Sequence, residues 1–108
     1  MQSVNDPIQF FSIISCLLNR LYLALDNFQH QEALKCFSQS GSWRRQGKEL
    51  RGHQEIQREL KARPSSRRTF HTITNVFPSI AGENAVGASF YLTSYASEIG
   101  SSQRLTLP

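Results

Sequence analysis

The chain has 108 residues and a mass of 12.3 kDa, enough for one domain at the small end of the usual range. Hydrophobic residues make up 39% and charged residues 19%, a globular balance that excludes a disordered or fibrous chain. The net charge is +4, and nine of the twelve basic residues lie between Arg44 and Arg68, accompanied only by Glu49, Glu55 and Glu59.

Asp6-Pro7 predicts a helix start, with Asp as the cap and Pro pre-set for the first helical position. Apolar residues then recur at Phe10, Phe11, Ile13, Ile14, Leu17, Leu18, Leu21, Tyr22, Leu25 and Phe28. That wide stripe has a 3.6-residue period and is expected to be the spine of the core, with Asp26-Asn27 ending the helix. The longest apolar candidate for a membrane span, Ile8 to Leu18, is interrupted by Gln9, Ser12 and Ser15 and falls short of the ~18–20 residues required. No basic segment precedes it as in a signal peptide.

A short second helix is predicted from His30 to Phe37, burying Ala33, Leu34, Cys36 and Phe37. Trp43 opens a short strand, Gly47-Lys48 turns it, and Leu50 lies on the return. Gly52 releases the chain into a third helix, about His53 to Ala62. Only Ile56 and Leu60 are apolar there, so it is expected on the surface. Arg68 to Phe77 and Ala85 to Ala96 read as two strands joined through Ala81-Gly82-Glu83-Asn84. Strict alternation would place His71, Ile73, Asn75 and Phe77 on one side of the first strand.

Cys16 and Cys36 both fall on predicted helices and read as reduced, buried thiols of a cytoplasmic protein. The basic stretch from Arg44 to Arg68 reads first as a solvated face. Anion or nucleic-acid binding is the competing reading, and nucleic acid is disfavoured because no exposed aromatics interleave the charges. No Gly-rich phosphate loop, nucleophile elbow, dinucleotide fingerprint or metal-ligand spacing occurs, and neither cofactor nor metal is expected.

The order helix, helix, short hairpin, helix, long hairpin, carried by Leu21-Tyr22-Leu23-Ala24-Leu25-Asp26, Phe37 to Trp43, Gly52-His53-Gln54-Glu55-Ile56 and Arg68 to Val76, resembles the NTF2-like superfamily and its SnoaL-like branch. The resemblance covers about residues 8–98 and implies an α+β cone, with long N-terminal helices packed in a strongly curved, mostly antiparallel sheet. It implies one domain over residues 1–108. The family continues with two further strands where this chain reaches Leu105-Thr106-Leu107-Pro108, so the domain is expected to be C-terminally incomplete. The branch includes scytalone dehydratase, a dehydrochlorinase, polyketide cyclases, isomerases and catalytically silent subunits.

In the dehydratase members an Asp–His dyad occupies the positions of Asp26 and His71. A carboxylate on one imidazole nitrogen fixes the tautomer and raises the basicity of the other, which suits proton abstraction next to a leaving group. Tyr22, one turn before Asp26, and Asn75, on the strand of His71, are candidate substrate-binding residues. Trp43 and Tyr91 are candidate pocket walls. The second acid that many members carry after the aspartate is missing from Asn27-Phe28-Gln29-His30. The implied activity is that of a cofactor-independent lyase or isomerase on a small apolar or polyketide-like molecule, in a homodimer. The alternative is a non-catalytic ligand-binding or subunit-assembly domain, in which His71 is structural, Asp26 caps local amides, and Tyr22 and Trp43 are core.

Overall fold

In the computed structural model, which describes residues 6–98, helix α1 (Pro7–Asp26) begins where Asp6 Oδ1 accepts the amide of Ile8 at 2.9 Å. Pro7 stands where a missing N–H costs nothing. Asn27 closes the helix: its backbone amide and its side-chain Nδ2 both donate to the Leu23 carbonyl. Phe28 then adopts a left-handed φ of 56°, and the chain enters α2 (His30–Leu34), which packs against α1. The second helix stops at Leu34, short of the expected Phe37. The amides of Cys36 and Phe37 bond only three residues back, to Ala33 and Leu34, which tightens the coil into turns.

Strands β1 (Ser42–Arg45) and β2 (Lys48–Arg51) pair antiparallel, with Trp43 opposite Leu50. Gln46 and Gly47 join them with φ values of 51° and 77°, the positive pair that a tight two-residue hairpin loop requires. Helix α3 (Gly52–Lys61) follows, its start held by Glu55 Oε1, which accepts the amide of Arg51 at 2.9 Å. Ile56 and Leu60, the two apolar residues of α3, are wholly buried, while the rest of the helix keeps its charged face in solvent. They join Leu21, Ala24, Leu25, Ala33, Leu34 and Leu50 in one hydrophobic cluster, flanked by Tyr22, Cys36, Phe37 and Trp43. His53 ties this cluster's rim through Nε2 to the Phe37 carbonyl at 2.6 Å.

Strands β3 (Arg67–Gly82) and β4 (Ala85–Glu98) form a long antiparallel hairpin, and both run further than the sequence predicts. Antiparallel pairing is therefore general among the described residues, in two separate two-stranded sheets. The register slips between Thr74 and Phe77, at Asn75, whose φ is 57°. Asparagine is one of the few side chains that tolerates this left-handed conformation, and the resulting bulge exchanges the two faces of the strand. Phe77 therefore does not share the side of His71 as alternation implied. Val76 and Pro78 take the covered side, and Phe77 is 70% exposed.

The apolar stripe of α1 is a core spine only in part. Of its residues, Ile14, Leu21 and Leu25 are buried, the last two in the central cluster, but Phe11, Ile13 and Leu17 are exposed. The other elements of the cluster cover only the C-terminal end of the helix. Contrary to expectation, α1 is long and apolar enough to cross a membrane by length and composition, with a mean hydropathy of 1.6. It packs against α2 and β3, with 28% of that apolar stretch buried. Cys16 is exposed, not buried; Cys36 is half-buried, its thiol pushed up by burial, and Sγ donates to the Glu32 carbonyl. The further strand expected near Leu105-Thr106-Leu107-Pro108 lies outside the described residues.

Candidate functional site

Asp26 is the last residue of α1, and the helix delivers its carboxylate to the start of β3. Thr69 and His71 stand two residues apart on β3 and so share the face that meets the helix. The carboxylate accepts three hydrogen bonds from them. His71 Nδ1 lies 2.7 Å from Oδ1, the Thr69 hydroxyl donates to Oδ1 at 2.9 Å, and the His71 backbone amide donates to Oδ2 at 3.0 Å. A carboxylate only accepts, so the proton of a neutral His71 resides on Nδ1 and the lone pair on Nε2. Both side chains are largely buried, at 11% and 15% exposed.

The chain of contacts extends outward. Arg63, just beyond α3, donates from Nη2 to Thr69 Oγ1 at 2.9 Å, so Thr69 is at once acceptor for the arginine and donor to Asp26. Tyr22 sits one turn before Asp26, its ring centroid 4.9 Å from that of His71 at a 43° tilt. Burial raises the Tyr22 phenol above the ordinary value of 10, partly opposed by the charge of Arg45, and keeps it a neutral O–H at physiological pH. Burial also lowers Arg63 below the usual arginine value, and the neighbouring Arg45 guanidinium adds to the effect.

A cleft of about 200 Å³ opens over the dyad between the β1–β2 turn, the end of α3 and the start of β3. Arg45, Glu59, Arg63, Arg67, Thr69 and His71 are among its lining residues. Among the described residues, no three His, Cys, Asp or Glu side chains converge so as to hold a metal ion.

The structure brings together Asp26, His71 and Tyr22, but separates the other candidates from them. Trp43 does not line the cleft. It packs on Phe37 with centroids 5.3 Å apart, and Arg45 lies over its ring at 4.7 Å. Asn75, displaced by the bulge, borders a different groove of about 500 Å³ between α1 and β3. Tyr91 pairs opposite Thr74 and is 69% exposed, lining neither space. Tyr22 packs on the dyad and is not among the residues lining the cleft.

Sequence reasoning does not single out Thr69, Arg45, Arg63 or Arg67 as site residues. Thr69 has a legible signal, since its spacing of two from His71 puts both on one strand face. The arginines have none beyond their membership of the basic stretch.

No family model matches the chain, and no curated protein matches it. Solved structures do. A protein of Catenulispora acidiphila superposes with a TM-score of 0.80 at 23% identity, over 94% of this chain and 73% of its own. A Catenulispora acidiphila structure in complex with S-DNPA gives 0.76 at 23% identity, over 94% and 75%. Aln2 from a Streptomyces species gives 0.78 at 16% identity, over 98% and 76%. At such identities the likeness speaks for architecture. The described helices and hairpins thus share the α+β fold of these structures, as the resemblance to the NTF2-like superfamily implied.

Proposed function

We propose that this chain is a small-molecule pocket protein acting as a cofactor-independent lyase or isomerase, with His71 as general base and Asp26 as its positioning partner. The observation that carries the reading is the 2.7 Å contact between His71 Nδ1 and Asp26 Oδ1 beneath a cleft that His71 itself lines. With Nδ1 engaged, Nε2 is the nitrogen left to take a proton from a carbon beside a carbonyl. In an elimination the C–H electron pair forms the double bond as the C–O bond breaks. The proton now on Nε2 passes to the departing hydroxide and leaves as water. In an isomerisation the same proton returns to a different carbon. The S-DNPA complex of a protein with this fold supports a small-molecule role.

The test is deuterium exchange in D2O, followed by NMR, on a panel of carbonyl compounds with an acidic neighbouring carbon. The parent is expected to exchange a member of the panel, His71→Ala to lose that exchange while keeping its thermal transition, and Asp26→Asn to lose nearly as much through the wrong tautomer. Equal exchange in parent and His71→Ala overturns the reading. A homodimer belongs to the same proposal, because β3 and β4 pair only with each other among the described residues and their outer edges carry backbone groups that seek partners. Light scattering at micromolar concentration decides it, a stable monomer counting against.

A further inference from the structure

We infer that the cleft over the dyad takes the carboxylate group of a small organic acid, gripped by Arg45 and Arg67 beside His71. This rests on reading the cleft as a ligand pocket and adds the charge of what fills it.

Three guanidiniums, Arg45, Arg63 and Arg67, line one space of about 200 Å³. Their charges act on one another: burial holds Arg63 low, and both Arg45 and Arg67 push in the same direction. Arg63 is committed through Nη2 to Thr69. The other two are not fully used. Arg45 Nη1 and Arg67 Nε are shielded from solvent and have no hydrogen-bond partner among the described residues. A buried charged donor left without an acceptor is costly, and native structures rarely keep two in one place without a reason. Arg45 Cζ lies 4.7 Å from the centroid of the Trp43 ring, a cation–π contact that restrains the side chain.

The acids nearby do not cancel this charge. Glu59 is the acidic residue of the lining, and its Oε1 lies 3.6 Å from Lys48 Nζ. Asp26 already accepts three hydrogen bonds. A ligand anion is therefore the natural complement. Its chemistry follows from the donors. Guanidinium edges match the flat, two-oxygen fork of a carboxylate. The donors available here are guanidinium forks and not helix N-terminal amides, since α3 turns its C-terminal end, through Ala62, Arg63 and Pro64, toward this cleft. The basic stretch, for which anion binding was one of the readings open in the sequence, thus supplies three of its arginines to one small space.

The experiment titrates the full chain with sodium benzoate, benzamide and inorganic phosphate at matched ionic strength, reading the His71 ring signals by NMR. Benzoate is expected to move those signals and to bind at least tenfold tighter than benzamide. Arg45→Gln and Arg67→Gln should each weaken benzoate at least fivefold and leave benzamide unchanged. Arg67→Lys, which keeps the charge and loses the fork, should fall between. Arg44→Gln, an exposed arginine paired with Glu49 at 3.7 Å, should change nothing. Equal affinity for benzoate and benzamide, with His71 still responding, overturns the carboxylate site and leaves the pocket standing. Tighter phosphate than benzoate overturns the carboxylate assignment. No response of His71 to any of the three overturns both the anion site and the pocket.

Discussion

Arg67–Ile73 and Phe77–Gly82 are two parts of the same strand, hydrogen-bonded to the same partner, and they live in different surroundings. At the base, Thr69 and His71 face α1 and bond to Asp26, and Ala96 of the opposite strand is buried. At the tip, Phe77 and Ile80 are 70% and 65% exposed. The backbone pairing is alike in both, so pairing alone does not make a site. The base has a helix end beneath it, which supplies a carboxylate and excludes water. Among the described residues the tip pairs with its partner strand alone. Between them the bulge at Asn75 exchanges the two faces. The difference teaches that the candidate site forms where a helix terminus meets the hairpin.

The largest expected effect lies at the base. His71→Ala should cut turnover of an identified substrate by about 10²–10⁴-fold, while Phe77→Ser leaves the rate unchanged; a comparable loss in both would erase the distinction between base and tip. Stability should divide in the same way. Leu25→Ala, at the centre of the cluster below the base, should cost about 2–5 kcal/mol by denaturant unfolding. Phe77→Ser should stay within about 0.5 kcal/mol, and a large loss there would show that the tip is covered. At the junction, Asn75→Val should cost about 1–2 kcal/mol because a β-branched residue resists positive φ, whereas Asn75→Gly should be nearly neutral.

The smallest effect concerns Tyr22. Its raised pKa means that the folded state keeps a proton that the unfolded chain releases, so stability is whole below the ordinary tyrosine value of 10 and falls as pH climbs from there through the folded value. Tyr22→Phe should flatten that alkaline decline in thermal scans. An unchanged slope would place the titration elsewhere.

Much of the scaffold was legible. Asp6-Pro7 marked the start of α1, Ile56 and Leu60 marked the inner side of α3, and Thr-rich alternation marked β3, because caps and periodicities are local properties of the chain. The contact between Asp26 and His71 was expected only through resemblance, since nothing in residues 45 positions apart announces that they touch. Asn75 and Tyr91 lie away from the cleft for reasons visible only once the strand is paired: the bulge displaces Asn75, and pairing opposite Thr74 puts Tyr91 on the face away from His71.

By itself the sequence determined the number, kind and order of the elements, the caps and turns that separate them, and the uneven placement of charge. Each of these is set by interactions over a few residues. Only the tertiary structure decided which part of the α1 stripe is covered, which strand face carries the site, and that Arg45, Arg63 and Arg67 enclose one cleft. Those outcomes depend on distances between segments far apart in the chain. They were fixed when the end of α1, the end of α3 and the base of β3 packed around one another.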